Sequence, residues 1–274
     1  MPGDTKPVAM SDAGHHSRRS REDGYGPAMA SRRKTPGRTD RIPAISPDRL
    51  AHGWSGPNGT KIRMLADGQA DRWLELVEMS GAAHEDALLT AVREGMLGWL
   101  LPVGLADGPH AMRRRFLEVI SARTEQAALC AMAGLSAPLV VQDRGGRVVA
   151  ALHAVSLPPA VVANAADRGI PFEIMIDALT AVMKIRAVAV DEPSRGQGIG
   201  SALLTRCLHL YFQLGFGAAY GQFRTGSGLE TFYARQGFTV LDEGAVFSLR
   251  DRLGLPFRIQ SDPGERIFTR VRVR

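Results

Sequence analysis

A glycine-rich turn between a strand-like and a helix-like segment is the feature that most constrains this chain. The turn covers residues 195–200, RGQGIG, and follows an alternating apolar stretch at 185–190. Residues 201–214 after it have the apolar spacing of a helix. Glycine adopts positive φ and lets a ligand approach the backbone closely. Because a helix N-terminus favours negative charge, the sequence predicts a phosphate-binding turn here.

Two other phosphate-binding patterns do not fit this turn. A Walker A loop requires Lys and then Ser or Thr after its last glycine, whereas Ser201 follows Gly200 directly. A dinucleotide fingerprint requires a third glycine in G-x-G-x-x-G, near the start of the fold. That position is occupied by Ser201 when counted from Gly196 and by Leu203 when counted from Gly198. Neither class of nucleotide site is therefore predicted.

A third pattern, Arg/Gln-x-x-Gly-x-Gly/Ala after an apolar strand, matches at Arg195, Gly198 and Gly200. The stretch at 188–204, VAVDEPSRGQGIGSALL, resembles motif A of the GNAT N-acetyltransferase superfamily, which binds the pyrophosphate of acetyl-coenzyme A. A second block at 231–238, TFYARQGF, resembles the family's penultimate helix, with a Tyr before a terminal Gly-Phe. The resemblance covers residues 185–240.

The local sequence of the second block supports a helix there. Ser227 and Glu230 have the spacing of a capping box, which predicts that the helix begins at Ser227. Gly237 suits the left-handed residue that follows a helix C-terminus. One family feature is absent, since Gly226 stands where many members carry an Asn seven residues before the Tyr.

The resemblance implies an α/β (α+β) fold with a GNAT-like mixed, largely antiparallel sheet flanked by helices. Apolar periodicity predicts strands at 61–65, 138–142, 147–155, 185–190, 218–223, 239–249 and 266–273, of which the last two form a closing antiparallel pair. Helices are predicted at 68–79, 85–100 and 109–132, among others. Two helical insertions, about 80–135 and 158–184, exceed the compact family pattern, and we expect them to form a substrate pocket, extra core or a dimer surface.

Composition bounds the organisation of the chain. Residues 1–55 are rich in Gly, Pro, Ser and Arg and lack a periodic apolar pattern, so we expect a disordered basic tail before a domain at 56–274. The net charge of +6 suits an anionic cofactor, nucleic acid or an acidic surface. Cys130 and Cys207 lack metal-ligand spacing, so we expect free thiols and no metal site.

No segment reaches the roughly 18 apolar residues that a membrane span requires. The N-terminus also lacks the apolar core of a secretory signal. We therefore expect a cytoplasmic protein without a membrane partner.

The resemblance also implies roles for individual residues. Backbone groups of Val188, Ala189 and Val190 would align the pantetheine arm, and one N–H of this strand would polarise the thioester carbonyl. Arg195 would add positive charge, and Tyr233 would protonate the departing thiolate. The residues that would surround the pyrophosphate are Gly196, Gln197, Gly198, Ile199, Gly200 and Ser201.

The sequence does not identify the residue that acts as the general base. Several family members place a Glu on the strand that corresponds to 185–190, which holds none here. The candidates are His153, Glu173 and Asp177, the last two being four residues apart and thus on one face of a helix. A water chain, or an amine that arrives neutral, could replace a dedicated base.

Three functions are compatible with these features. The leading hypothesis is an acetyl-coenzyme A-dependent N-acetyltransferase whose acceptor is a small-molecule or protein amine. A non-catalytic acyl-coenzyme A-binding module would account for the lack of an obvious base. A nucleic-acid-associated protein would use the basic tail, although the leading hypothesis does not require nucleic acid as a partner. A homodimer is compatible with all three, since dimers are common among similar proteins.

Overall fold

The structure, a computed structural model, describes residues 43–82 and 86–272. Most of the predicted tail, residues 1–42, lies outside this range. The remainder of it is folded, because it contains helix α1 (Pro47–His52) and strand β1 (Trp54–Ser55). Leu50 and Trp54 are buried in the core. The folded region therefore begins earlier than the expected boundary at residue 56. The sequence does not indicate this, because Leu50 and Trp54 are isolated apolar residues outside any periodic pattern, although both are buried in the core.

The remaining elements alternate between helices and strands along the chain. The helices are α2 (Ala70–Met79), α3 (Asp86–Arg93), α4 (Leu100–Asp107), α5 (Pro109–Ile120), α6 (Glu125–Gly134), α7 (Pro159–Asp167), α8 (Phe172–Ala181), α9 (Ile199–Gln213), α10 (Glu230–Arg235) and α11 (Leu249–Leu253). The strands are β2 (Lys61–Met64), β3 (Ala137–Gln142), β4 (Val148–Ser156), β5 (Val182–Val190), β6 (Ala218–Arg224), β7 (Thr239–Val240), β8 (Val246–Ser248), β9 (Arg258–Gln260) and β10 (Glu265–Val271).

Eight strands form one sheet in the order β1-β2-β3-β4-β5-β6-β10-β7, and β8 and β9 form a separate pair. Within the described residues, β5 and β6 run parallel, and the other neighbouring strands of the large sheet are antiparallel. The predicted mixed, largely antiparallel sheet flanked by helices is thus confirmed. The two regions expected as insertions carry α3 to α6 and α7 to α8.

Helices cover both faces of the central strands. On one face, Trp73 and Leu76 of α2 pack with Ala187 and Ala189 of β5 in a smaller core cluster. On the other, α9 packs its apolar side chains into the larger core cluster. Strands buried on both faces need apolar residues at almost every position, which is what β3 and β4 show.

Several predicted boundaries change. The helix predicted at 85–100 ends at Arg93, and a separate α4 follows. The helix predicted at 109–132 is divided because Arg123 has a φ of 53° and the Thr124 hydroxyl accepts a hydrogen bond from Ala127 N–H, which caps α6. The predicted closing pair is half correct, since β7 pairs with β10 whereas β8 pairs with β9.

Tyr211 of α9 ties this helix to the sheet. Its side chain is fully buried, and its hydroxyl donates to the Leu135 carbonyl at 2.7 Å. Because Tyr211→Phe would leave this carbonyl without its donor, we expect the free energy of unfolding to fall by about 1–3 kcal/mol, measured by urea denaturation. Tyr220→Phe is the control, since Tyr220 is buried as well and burial alone, without a hydrogen bond, raises the pKa of its hydroxyl. Equal losses in both variants would contradict the explanation.

Candidate functional site

Strands β5 and β6 lie side by side at one end and separate at the other. Their parallel pairing ends at Ile185 and Gly221. Beyond that point β5 continues to Val190 and β6 to Arg224 without pairing to each other. The separated strand ends line a cleft of about 800 Å³. The cleft therefore exposes the edge of β5 over the part that leads into the glycine-rich turn.

A β-bulge lies where this cleft begins. On β4, His153 pairs with Ala187 and Ala154 pairs with Ile185, so Arg186 is the extra residue on β5. The bulge also exchanges the faces of the strand, since Ile185 lies in the larger core cluster and Ala187 in the smaller one. A bulge bends its strand and increases the local twist, which agrees with the divergence of β5 from β6.

Beyond the bulge, β5 directs main-chain groups into the cleft. Asp191 N–H donates to the Val149 carbonyl of β4 at 2.8 Å. The main-chain N–H and C=O groups of successive strand residues alternate in direction. Those of Val188 and Val190 therefore point away from β4, toward the side where β6 has separated. The Val190 carbonyl accepts a hydrogen bond from Arg195 Nε at 3.1 Å. An extended ligand arm could lie against this edge as an added strand does.

The glycine-rich turn has the geometry of an anion site. Gly196 and Gly198 have φ values of 73° and 78°, and Gly198 precedes α9 without a side-chain cap. None of the described residues accepts a hydrogen bond from the backbone N–H groups of residues 196–201. A run of N–H groups at a helix N-terminus binds phosphate. The residues present therefore fit a diphosphate.

A buried acidic residue close to the turn is neutralised. Asp191 follows β5 and is buried, and its carboxylate forms an ion pair with Arg72 of α2. Arg147 lies 4.0 Å from the same carboxylate. Because opposite charges so close offset each other, Asp191 does not oppose an anion in the turn.

Helix α10 brings Tyr233 to the cleft from the opposite wall. The ring is buried and stacks on Phe268, with centroids 3.6 Å apart and planes at 11°. Burial raises the pKa of the Tyr233 hydroxyl, so it stays protonated at neutral pH. This hydroxyl makes no hydrogen bond with the described residues, and Tyr233 lines the cleft. Tyr233 is therefore a buried, protonated side chain in the wall of the cleft.

The start of α10 differs from the prediction, and its end agrees with it. The helix begins at Glu230 rather than at Ser227, because Ser227 N–H is held in a turn by the carbonyl of Arg224. The predicted capping box is therefore wrong. Gly237 has a φ of 77°, and Phe238 N–H donates to the Tyr233 carbonyl. This is the Schellman arrangement in which a left-handed glycine ends a helix.

A second cavity, of about 650 Å³, adjoins the cleft at the bulge. The two cavities share lining residues from the separating strands, among them Arg186, Gln222 and Arg224. Its walls include apolar side chains from α3 and α6. Among the described residues, the titratable side chains in its lining are His153, Lys184, Arg186, Arg224, Asp262 and Glu265. A molecule in this cavity would therefore reach the separating strands from the side opposite the glycine-rich turn.

Of the three candidate bases, His153 lines this second cavity. It lies on β4 and is buried, with its ring edge-on to Trp73 at 5.1 Å. Glu173 is exposed on α8 and lines neither cavity, and Asp177 forms an ion pair with Arg113. The expectation of a base at Glu173 or Asp177 is not supported by their position, because neither residue lines the cleft or the second cavity.

Asp262 and Glu265 are acidic residues of the second cavity that the sequence analysis did not identify. They lie at the turn between β9 and β10, where Glu265 N–H donates to the Asp262 carbonyl. The sequence Asp-Pro-Gly-Glu indicates a turn. Nothing in it indicates that the turn reaches the separated ends of β5 and β6.

The described residues contain neither a metal-binding cluster nor a membrane-spanning helix. No group of three or more His, Cys, Asp or Glu side chains is arranged to hold a metal ion there. Among the same residues, no helix has the length and apolarity to cross a membrane.

Comparison with known families gives one sequence match. Residues 158–240 match the family model described as acetyltransferase (GNAT) domain. The matched segment contains β5, the glycine-rich turn, α9, β6 and α10. The resemblance that the sequence indicates is thus confirmed. No curated protein sequence matches this chain.

Similar solved structures include an acetyltransferase from Streptococcus agalactiae 2603, at 11% identity and a TM-score of 0.43 over 78% of this chain and 99% of that chain. Another is the PaiA N-acetyltransferase from Thermoplasma acidophilum in complex with coenzyme A, at 10% identity and a TM-score of 0.40 over 78% of this chain and 99% of that chain. A third is the GNAT domain of S. lividans PAT, at 12% identity and a TM-score of 0.42 over 80% of this chain and 95% of that chain. Similarities this distant do not assign roles to individual residues, which must be inferred from the geometry of this chain.

Proposed function

We propose that this chain, of which residues 158–240 match the acetyltransferase (GNAT) domain model, transfers the acetyl group of acetyl-coenzyme A to an amine. The observation that carries the proposal is the set of backbone N–H groups at residues 196–201, which have no acceptor among the described residues. They lie where the free edge of β5 meets α9, with Tyr233 on the facing wall. A diphosphate at this turn would direct the rest of the molecule along β5.

Main-chain and arginine groups would bind acetyl-coenzyme A. The N–H groups of Gly196, Gln197, Gly198, Ile199, Gly200 and Ser201 would hold the diphosphate. Backbone groups of Val188, Ala189 and Val190 would align the pantetheine arm, and one of their N–H groups would polarise the thioester carbonyl. Arg195 would supply positive charge, with its Nε held by the Val190 carbonyl.

The transfer forms an N–C bond and breaks the C–S bond of the thioester. An alkyl amine has a pKa of about 10.4, so it must lose a proton before it attacks. Tyr233 would give its proton to the thiolate that leaves, because it lines the cleft and its hydroxyl is protonated at neutral pH. His153 would receive the proton of the amine, directly or through water, since it lines the adjoining cavity.

The acceptor would enter through the second cavity. This cavity meets the cleft at Arg186 and Arg224, beside the point where the strands separate. An amine there would approach the thioester from the side opposite the diphosphate. A small-molecule amine and an amine on a protein chain are both compatible with a cavity that has apolar walls and charged groups of both signs.

One observation favours a second function, a non-catalytic acyl-coenzyme A-binding module. Among the described residues, the lining of the cleft itself contains no Asp, Glu or His. A module that binds the ligand as a sensor would need the glycine-rich turn and the edge of β5 but no base.

Calorimetric titration with acetyl-coenzyme A, followed by assays of thiol release with a panel of amines, tests both functions. We expect binding, and release of coenzyme A that depends on the amine. Binding without release for any amine would favour the non-catalytic module. No binding at millimolar ligand would overturn both functions.

A further inference from the structure

The segment before the first long strand of the sheet, residues 43–59, runs along α9, and we name it the N-terminal strap. The amide side chain of Gln213, the last residue of α9, both accepts from Ile45 N–H and donates to the Ile45 carbonyl, each at 2.7 Å. Further along, the Arg206 guanidinium lies 6.0 Å from the centroid of the Trp54 ring. The strap therefore follows the helix from its C-terminus toward its N-terminus.

The strap ends beside the glycine-rich turn. Asn58 Nδ2 donates to Gln197 Oε1 at 3.1 Å, across 139 residues of sequence. The ring of Pro57 also lies here, since a Cβ added to Gly198 would be 3.9 Å from it. Gln197 Nε2 in turn donates to the Pro193 carbonyl at 3.2 Å. The Gln197 side chain is thus held at both of its polar atoms.

Asn58 occupies a conformation that most residues avoid. Its φ and ψ are 55° and 28°, and Arg123 is the other non-glycine residue with a positive φ in the described part of the chain. Such a residue persists where its surroundings determine it. Here Thr60 N–H and its hydroxyl both donate to the Pro57 carbonyl, at 3.0 and 2.6 Å. The turn therefore aims the Asn58 amide at Gln197 at some cost in backbone energy.

The residue that Asn58 holds is the one between the two left-handed glycines. Gly196 and Gly198 flank Gln197 and have little conformational preference of their own. Ordering a flexible loop when a ligand binds reduces affinity, and holding it in the bound conformation beforehand removes that cost. A clamp on Gln197 restricts the peptide groups on both of its sides, which belong to the set of N–H groups without an acceptor.

We propose that the N-terminal strap completes the coenzyme A site and that Asn58 is a positioning residue for it. Asn58 acts through Gln197, which it holds so that the N–H groups at 196–201 converge before the diphosphate arrives. The proposal rests on the proposed function, since it concerns the same turn. It adds a segment that lies outside the matched GNAT domain and precedes it by about a hundred residues.

The test compares Asn58→Gly, Gln197→Ala and the double variant. Glycine at position 58 keeps the left-handed backbone and removes the amide. Since one exposed hydrogen bond is worth about 0.5–1.5 kcal/mol, we expect the calorimetric Kd for coenzyme A to rise about three- to tenfold. For Asn58→Gly we expect kcat at saturating acetyl-coenzyme A to stay as in the wild type. The double variant should bind no more weakly than Gln197→Ala alone.

Arg123→Gly is the matched control, because Arg123 has a φ of 53° and lines none of the cavities at β5. It should lose no affinity for coenzyme A. Unchanged affinity in Asn58→Gly, or additive losses in the double variant, would overturn the positioning role and leave the proposed function standing. Wild-type protein that binds no coenzyme A would overturn both.

Amide hydrogen exchange of the wild-type protein gives an answer even if Asn58→Gly fails to fold. Coenzyme A should slow exchange at residues 196–201 and also at 56–60, because the two segments share the Asn58 contact. Protection confined to residues 196–201 would show that the strap is not coupled to the site, and would overturn the proposal.

Discussion

Gly198→Asp should weaken coenzyme A binding by about a hundredfold or more, the largest effect that we expect from a single substitution. The residue lies in the glycine-rich turn directly before α9, with a φ of 78°, and the N–H groups around it have no acceptor among the described residues. A carboxylate at this position would lie against the diphosphate. Two like charges about 4 Å apart repel by about 4 kcal/mol near a protein surface, and about 1.4 kcal/mol changes Kd tenfold.

The strain of Gly198→Asp must be separated from its charge. Gly254→Asp is a matched control, because Gly254 has a φ of 74° and follows α11, where an added Cβ meets nothing within 4 Å. Both variants place Asp in the left-handed region, which costs about 1–2 kcal/mol. Calorimetric titration with coenzyme A should therefore show full binding for Gly254→Asp and none in the micromolar range for Gly198→Asp. If both variants bound coenzyme A, the diphosphate could not lie at this turn.

Tyr233→Phe should lower kcat by about a hundredfold while leaving the Kd for coenzyme A close to that of the wild type. The hydroxyl would protonate the leaving thiolate, and general acid catalysis contributes about 10²–10⁴-fold. The ring would stay in place, because it is held by stacking on Phe268 at 3.6 Å and on Phe223 at 5.5 Å. Steady-state kinetics of thiol release and calorimetry measure the two quantities separately.

Tyr220→Phe serves as the control for this variant, since Tyr220 is equally aromatic and buried but lines neither cavity. Its kcat should match that of the wild type. Burial also raises the pKa of Tyr233 above the ordinary value near 10. Loss of its proton should therefore not lower the rate as the pH rises to 10. An unchanged kcat in Tyr233→Phe would exclude Tyr233 from proton transfer.

The position of Tyr233 shows how far sequence reasoning extends. The block around it predicts a helix that ends at a left-handed glycine, and Gly237 has that conformation. The predicted start of the helix at Ser227 is wrong, because a turn at Ser227 competes with the capping box. The ring's place at the cleft depends on Gly221, where a Cβ would lie 2.2 Å from the Phe268 ring. That contact joins separate strands, so no local pattern predicts it.

The candidate bases give the complementary case. His153, Glu173 and Asp177 were chosen by residue type and local spacing, which say nothing about which end of a strand a residue approaches. The structure places His153 in the lining of the second cavity, whereas neither Glu173 nor Asp177 lines that cavity or the cleft. Asp262 also lines the second cavity, although it is distant in sequence from β5 and had no pattern to identify it.

By itself, the sequence determined the glycine-rich turn, because the requirements of that turn are local: an apolar strand, glycines at positive φ and a helix start within a few residues. The tertiary structure alone decided what surrounds it. The divergence of β5 from β6 depends on a bulge against β4, and Asn58 meets Gln197 across 139 residues. Such contacts depend on how distant segments pack, and packing energies are set by shape and burial rather than by sequence spacing.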